Sequence, residues 1–287
     1  MTKRAAPRAG PSAADIPNRY DLYELAVQEP GIQTRFLRAL HGGRPTTLCE
    51  DFCGPASLAR HWTLLDERFI GAGVDRDAEP LAHARRRAAQ QGLDPQRLEF
   101  VRADVRRTRV RADIIAAFNF AVCELHDRAS LTAYLRRVRG RLLAGGVFVA
   151  DLYEGGAGTV GLTEASALIR VGDARWRYQW EQRSADPLTG MVENAIHFLP
   201  ARRGTPALRD AFVYRWRLWS VPELRDALRE AGFARTEAYL SYGDAIDGDG
   251  DPVPMPAEGA AAEPGFVAYV VGRAARTRKR PLRTPRR

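Results

Sequence analysis

Short apolar runs and amphipathic segments alternate along the first half of this chain. The apolar runs predict strands at residues 46–50, 69–75, 98–102, 113–118 and 147–152. The segments between them predict helices. The clearest one places Leu131, Leu135 and Val138 at helical spacing and is predicted to end at Gly145 and Gly146. Because parallel strands are joined by crossover helices, this order predicts a three-layer α/β sheet.

The pattern changes to a period of two after residue 160. Trp176, Tyr178 and Trp180 alternate with polar residues, and similar runs continue to residue 219. Such alternation predicts antiparallel strands, so residues 160–219 are predicted to form an antiparallel β insertion after strand five. Ser220 and Glu223 then form a capping box that predicts a helix. Two last strands are predicted at 234–242 and 266–272, on either side of an acidic loop.

The composition of the 287 residues is that of a globular protein, with 45% hydrophobic and 28% charged residues. No apolar run approaches the roughly 20 residues of a membrane-spanning helix, and the first residues lack the apolar core of a signal peptide. We therefore predict a cytoplasmic protein with no membrane partner. The cysteines Cys49, Cys53 and Cys123 suggest neither a disulfide framework nor a metal site.

The net charge of +9 is concentrated at the two ends of the chain. Residues 1–14 contain three basic residues and residues 273–287 contain eight, and neither segment contains an acidic residue. Of the 44 basic residues these ends hold eleven, which leaves 33 against 35 acidic residues elsewhere. Both ends are predicted to be disordered, around one domain at 15–272 that opens with an N-terminal helical cap at 15–45. The basic tail leaves docking to nucleic acid open.

The first two predicted strands end in residues that carry a chemical signal. Glu50 ends strand one, Gly54 follows at the entry to a helix, and Asp75 ends strand two. A doubly wound sheet binds an adenosine-bearing cofactor with such a glycine turn followed by an acid at the next strand end. Because the turn has one glycine and contains Pro55, it is a poor cradle for a diphosphate, which Glu50 would also repel. These features favour the zwitterionic sulfonium S-adenosylmethionine over NAD.

The sequence resembles the class I S-adenosylmethionine-dependent methyltransferases, most closely a bacterial small-molecule-type subgroup. The resemblance rests on five motifs in order, at residues 48–54, 73–75, 103–105, 118–120 and 142–146, within a matching region of about 46–155. It implies a Rossmann-like sheet of seven strands with a reversed C-terminal hairpin. The family usually has glycine where Ala56 stands, so the geometry of that turn is left open.

The resemblance implies that the cofactor binds to Glu50, Phe52, Cys53, Gly54, Asp75, Arg76, Asp104, Val105, Asn119 and Phe120. Glu50 and Gly54 would lie at the methionine end, and Asp75 at the ribose hydroxyls. Asp104 and Val105 would lie at the adenine, and Asn119 with Phe120 beside the transferred methyl group. From the residues alone, Asp75 is equally well a cap or turn residue, and Asp104 is more often a turn former.

The methyl acceptor is predicted to be a small molecule, attacked in line with the activated methyl group. A general base is needed only for a protonated nucleophile, and the candidates are His126 and Tyr153, although His126 also fits a polar position beside a helix cap. The aromatic face of the insertion is either a substrate cover or a packing surface, and His197 is predicted to lie on its surface. The alternatives are an RNA or protein methyltransferase that docks through the tail, and a non-catalytic S-adenosylmethionine-binding protein.

Overall fold

The computed structural model describes residues 17–156, 160–163, 168–202, 204–243, 245–247, 250–257, 263 and 265–275. The N-terminal segment 1–14 and residues 276–287 of the predicted tail lie outside the described residues. The chain divides into two compact units. We call Pro30–Glu154 with Trp219–Arg287 the sheet unit, and Met1–Glu29 with Gly155–Leu218 the insertion unit.

The described residues form six α-helices and fourteen strands. The helices are α1 (Arg19–Val27), α2 (Pro30–His41), α3 (Ser57–Leu65), α4 (Ala78–Gln90), α5 (Arg128–Arg141) and α6 (Val221–Glu230). The strands are β1 (Thr47–Asp51), β2 (Ile70–Asp75), β3 (Leu98–Arg102), β4 (Ala112–Ala117), β5 (Leu142–Tyr153), β6 (Gly161–Thr163), β7 (Leu168–Val171), β8 (Ala174–Asp186), β9 (Met191–Pro200), β10 (Leu208–Arg217), β11 (Arg235–Tyr239), β12 (Ala245–Ile246), β13 (Pro252–Val253) and β14 (Val267–Arg273).

The sheet unit contains a seven-stranded sheet in the order β11-β14-β5-β4-β1-β2-β3. The first five strands are parallel, whereas β14 runs antiparallel to both β5 and β11. This arrangement confirms the predicted seven-stranded sheet with a reversed C-terminal hairpin. The central strands are apolar on both faces because helices cover both, and Val147 and Phe148 are fully buried on opposite faces of β5.

The fifth strand begins earlier than predicted. It starts at Leu142, directly after α5 ends at Arg141, and the two glycines thought to stop the helix lie within the strand. A Cβ on Gly146 would lie 2.6 Å from the carbonyl oxygen of Asp113, so this glycine permits close approach of β4 to β5. Close strand packing, and not termination of the helix, therefore explains that position.

The insertion unit contains a five-stranded antiparallel sheet, which confirms the predicted β insertion. Its main path is β10-β9-β8-β6, and β7 also pairs with β8. The predicted helical region at 15–45 contains two helices, of which α1 belongs to the insertion unit and α2 to the sheet unit. The rings of Tyr20 and Tyr23 on α1 contact Phe212 on β10, with centroids 5.5 and 4.9 Å apart. These aromatic contacts attach α1 to the antiparallel sheet.

Two further boundaries differ from the predictions. Arg273 was assigned to the basic tail, but it is the last residue of β14 and its guanidinium lies 2.8 Å from Glu237. Trp219 was assigned to the insertion, but it belongs to the sheet unit, where its indole N–H donates to the carbonyl of Leu125 at 3.1 Å. Each residue is held by a partner far away in sequence, which local pattern does not reveal.

The predicted surface position of His197 is also wrong. Its side chain is only 6% exposed, with Nε2 at 3.1 Å from a carboxylate oxygen of Glu181. The Asp210 N–H donates to Nδ1 at 2.9 Å, which requires the proton of a neutral ring to be on Nε2. His197 is therefore a buried residue that hydrogen-bonds to partly exposed polar residues of the insertion sheet.

Candidate functional site

The turn between β1 and α3 has an unusual backbone conformation. Phe52, Gly54 and Ala56 have positive φ angles of 55°, 50° and 54°. Side chains disfavour this left-handed region, so the two non-glycine residues are held there by their surroundings. A Cβ built on Gly54 would meet no described atom within 4 Å, so the space beside this glycine is open to a ligand.

The amide groups of this turn are already engaged within the protein. Cys53 N–H donates to Val74, Gly54 N–H to the Asp75 carboxylate, Ala56 N–H to Cys53, and Ala59 N–H to the Glu50 carboxylate. Pro55 has no amide hydrogen. Because these four donors are used and two carboxylates lie among them, the turn is a poorer cradle for a diphosphate than a glycine-rich nucleotide loop.

Gly73 in β2 explains how the turn lies so close to the neighbouring strand. A Cβ at this position would come within 2.9 Å of both the Ala56 Cβ and the Cys53 Sγ. Cys53 is buried, and burial raises the pKa of its thiol well above the usual value. The thiol is therefore a packing group and not a nucleophile.

Glu50 and Asp75 are the two acids that the structure brings to this turn. Glu50 is buried, and its carboxylate accepts from Ala59 N–H at 2.9 Å, near the start of α3, where the helix dipole favours negative charge. Asp75 accepts from Gly54 N–H at 2.8 Å and from Asp77 N–H at 2.9 Å. Burial raises the pKa of Asp75, while these two amide bonds act in the opposite direction.

Asp51 forms a buried ion pair that the sequence analysis missed. Its carboxylate lies 2.8 Å from both Nη1 and Nη2 of Arg141 at the end of α5, and it accepts from the Tyr134 hydroxyl at 2.9 Å. Neighbouring residues of a strand point to opposite faces, so Glu50 caps α3 while Asp51 anchors α5. Tyr134 and Arg141 lie 83 and 90 residues after Asp51 in the sequence, so no local pattern predicts these contacts.

A second missed residue, Asp151, lies at the carboxyl end of β5. It is buried, and its carboxylate accepts from Asn119 N–H at 3.0 Å and from Phe120 N–H at 2.7 Å. Burial raises its pKa to about 7, although both amide bonds favour the charged form. A single acid in an otherwise apolar strand is the signal that could have identified it.

The raised pKa of Asp151 predicts that its contribution to stability falls as the pH rises. Between the ordinary value of 3.8 and about 7, the folded chain holds a proton that the unfolded chain has released. This stabilisation is complete below about pH 3.8 and is lost through about pH 7. Asp151→Asn should remove that pH dependence, which amounts to as much as roughly 4 kcal/mol. Urea unfolding at pH 4 to 8 measures it, and parallel profiles for the variant and the wild type would contradict the assignment.

The other predicted site residues have varied surroundings. Asp104 forms a turn with Arg106, whose guanidinium lies 2.6 Å from it, and this hydrogen bond lowers the pKa of Asp104. Arg76 is exposed and lies 3.2 Å from Glu124. Val105 is buried. Asp104 therefore has the turn-forming role that its residue type favours, and the adenine role that the resemblance implies stays a prediction.

The two candidate bases differ in position. His126 is exposed just before α5, whereas Tyr153 is half-buried at the end of β5. The Tyr153 ring contacts the Phe120 ring, with centroids 4.6 Å apart. Tyr153 therefore adjoins the loop that was predicted to face the methyl group.

Two features are absent from the described residues. No group of three or more His, Cys, Asp or Glu side chains in this part of the chain is arranged to hold a metal ion. None of its helices is both long and apolar enough to cross a membrane.

Neither a protein-family model nor a curated protein matches this sequence. Among solved structures, the chain is similar to an S-adenosylmethionine-dependent methyltransferase from Clostridium acetobutylicum (TM-score 0.63, 17% identity, 89% of this chain and 98% of that one). It is also similar to a sugar N-methyltransferase from Streptoalloteichus (0.62, 17%, 96% and 99%). A third similar structure is an amino pentose methyltransferase from Micromonospora echinaspora with S-adenosylmethionine bound (0.61, 17%, 90% and 98%).

Proposed function

We propose that this chain, which has the fold of the class I S-adenosylmethionine-dependent methyltransferases, transfers a methyl group from S-adenosylmethionine to a small molecule. The observation that carries the proposal is the turn after β1, where an open space beside Gly54 adjoins the buried acid Glu50 and the half-buried acid Asp75. A carboxylate attracts an ammonium group and accepts from hydroxyls, whereas it repels a phosphate. These negatively charged acceptors fit S-adenosylmethionine and disfavour a dinucleotide.

Glu50 and Asp75 would have different roles in holding the cofactor. The negative charge of Glu50 favours the ammonium of the methionine group, directly or through water. Each Asp75 oxygen accepts one backbone amide and keeps a lone pair, so the carboxylate can still accept from ribose hydroxyls. S-adenosylmethionine supplies, when bound, a methyl group that its sulfonium has already activated. The remaining task of the protein is to align an acceptor and to exclude water.

The acceptor class is inferred from chemistry and from the similar structures. Two of these are methyltransferases that act on sugars, which supports a small, polar acceptor for this chain as well. The aromatic residues of the insertion sheet pack within their own unit, since Trp216 is buried and Trp180 and Tyr214 lie half-buried against its core. The rings of Tyr214 and Trp216 are stacked with centroids 4.4 Å apart, which favours the packing role for this face.

We expect the protein to bind S-adenosylmethionine but not NAD. Calorimetric titration of the full chain with S-adenosylmethionine, S-adenosylhomocysteine and NAD would measure this. The two sulfur ligands should bind in the micromolar range, on the order of −8 kcal/mol, and NAD should give no heat. Absence of heat with S-adenosylmethionine would overturn the proposed cofactor.

The acceptor can be found with S-adenosylmethionine labelled in its methyl group. Incubating the protein with a metabolite extract should produce S-adenosylhomocysteine and one labelled small molecule. Truncation after residue 275 should leave that activity unchanged if the acceptor is a small molecule, and should abolish it if the tail docks an RNA or protein. Binding of S-adenosylmethionine without any labelled product would instead support a non-catalytic binding protein.

A further inference from the structure

The loop between β4 and the 3-10 turn at Ala121–Glu124 has two consecutive left-handed residues that are not glycine. Asn119 has a φ of 58° and Phe120 a φ of 62°. This conformation costs roughly 1–2 kcal/mol per residue, so two in succession require support from their surroundings. Successive amides in such a loop converge and form a concave site for an anion.

The anion in that concave site is the side chain of Asp151. One of its oxygens accepts from Asn119 and the other from Phe120. Among the described residues no basic side chain pairs with Asp151, so the two amides are its partners along with its own backbone. The groups that face it from neighbouring elements are the Cys123 thiol of the 3-10 turn and Tyr269, its register partner on β14.

The same loop is tied to β5 by a second contact. The Phe120 ring packs against Tyr153, two residues beyond Asp151 on the same strand. The loop is therefore clamped to the end of β5 by a polar contact through its backbone and an aromatic contact through its side chain. A strained loop that is supported in this way retains one shape.

We propose that Asp151 is a positioning residue of this site, whose carboxylate holds Asn119 and Phe120 in the conformation that the methyl-bearing end of the cofactor would meet. The inference rests on the proposed function, because the loop has a role toward a cofactor only if S-adenosylmethionine binds there. Asp151 acts through the two backbone amides and does not itself touch the reacting atoms. Its replacement should therefore weaken cofactor binding without removing any cofactor contact.

The first variant is Asp151→Asn, which keeps the shape of the side chain but turns an amide donor toward one of the two loop amides. We expect it to bind S-adenosylmethionine roughly 10-fold or more weakly, as expected for the loss of one hydrogen bond to a charged group. The matched control is Asp113→Asn. Asp113 also accepts from two backbone amides, those of Thr46 and Thr47, but at the amino end of the sheet. The control should change the affinity less than twofold.

A rescue variant separates positioning from a general loss of structure. Glycine adopts a positive φ without strain, so Asn119→Gly should make the loop less dependent on its anchor. The affinity loss caused by Asp151→Asn should be at least threefold smaller in the Asn119→Gly background than in the wild type. An equal loss in both backgrounds would show that the carboxylate does not act through the loop conformation.

The pH dependence of cofactor binding provides a further test. Affinity for S-adenosylmethionine should fall as the pH decreases from 8 to 6, because a neutral carboxyl accepts poorly at one oxygen, and this fall should be absent in Asp151→Asn. Identical pH profiles would overturn the proposal.

Hydrogen exchange of the loop amides measures how Asp151 anchors the loop, whether or not a cofactor binds. The amides of Asn119 and Phe120 should exchange faster in Asp151→Asn than in the wild type, with or without a cofactor. If the wild type binds no S-adenosylmethionine, the proposed function fails while the exchange result still judges the anchoring of the loop. If the wild type binds and neither exchange nor affinity changes in the variant, the positioning role of Asp151 is wrong and the proposed function stands.

Discussion

Asp75→Ala should weaken S-adenosylmethionine binding by roughly 100-fold or more, since a hydrogen bond to a charged group contributes about 1.5–3 kcal/mol and two ribose hydroxyls lose their acceptor. The same carboxylate joins Gly54 N–H to Asp77 N–H, so its removal also loosens the turn. Asp75→Asn should give a smaller loss, because an amide retains one oxygen acceptor. Calorimetry with S-adenosylmethionine and S-adenosylhomocysteine should show equal losses for both ligands, which share the ribose.

The matched control for this prediction is Asp94→Ala. Asp94 likewise accepts from a backbone amide, that of Gln96 at 2.8 Å, but it precedes β3 and so lies at the amino end of the parallel strands. Its removal should change the affinity less than twofold. An Asp75→Ala variant that binds as well as the wild type would disprove the role of Asp75 and, with it, the placement of the cofactor at this turn.

Arg141→Ala should cost roughly 3–5 kcal/mol in the free energy of unfolding, because it leaves a buried carboxylate without its partner. The guanidinium of Arg141 and the carboxylate of Asp51 are both almost inaccessible, at 2% and 0% side-chain exposure. Tyr134 would still donate to Asp51, but one neutral hydroxyl does not compensate a buried charge. Urea denaturation of the full chain measures the loss.

Two comparisons test the interpretation of that loss. Arg128→Ala removes an exposed arginine that lies 2.5 Å from Glu230, and it should cost less than about 1 kcal/mol. The double variant Asp51→Leu with Arg141→Met replaces both charges by apolar groups and should be more stable than Arg141→Ala alone. A loss for Arg141→Ala no larger than that of Arg128→Ala would show that the buried pair contributes little.

Some features of the fold have no local signal in the sequence. Gly145 and Gly146 predict the end of a helix, because a glycine that ends a helix and a glycine that permits close strand packing look alike in sequence. Only the 2.6 Å distance from a Cβ on Gly146 to the Asp113 carbonyl separates them. Likewise, the helical pattern of α1 and α2 was visible, but the assignment of α1 to the other unit depends on its contacts with Phe212.

The sequence by itself determined the alternation of strands and helices, the antiparallel insertion, and the acids and glycine at the ends of the first two strands. These features are local, because hydrophobic periodicity and turn chemistry depend on residues close together in the chain. The tertiary structure alone decided that Asp51 pairs with Arg141 and that Asp151 accepts from Asn119 and Phe120. Those contacts join residues 90 and about 32 positions apart, and they form only when the sheet brings its strand ends together. Local sequence pattern thus predicts which residues form the candidate site, whereas long-range contacts decide which charged groups hold those residues in place.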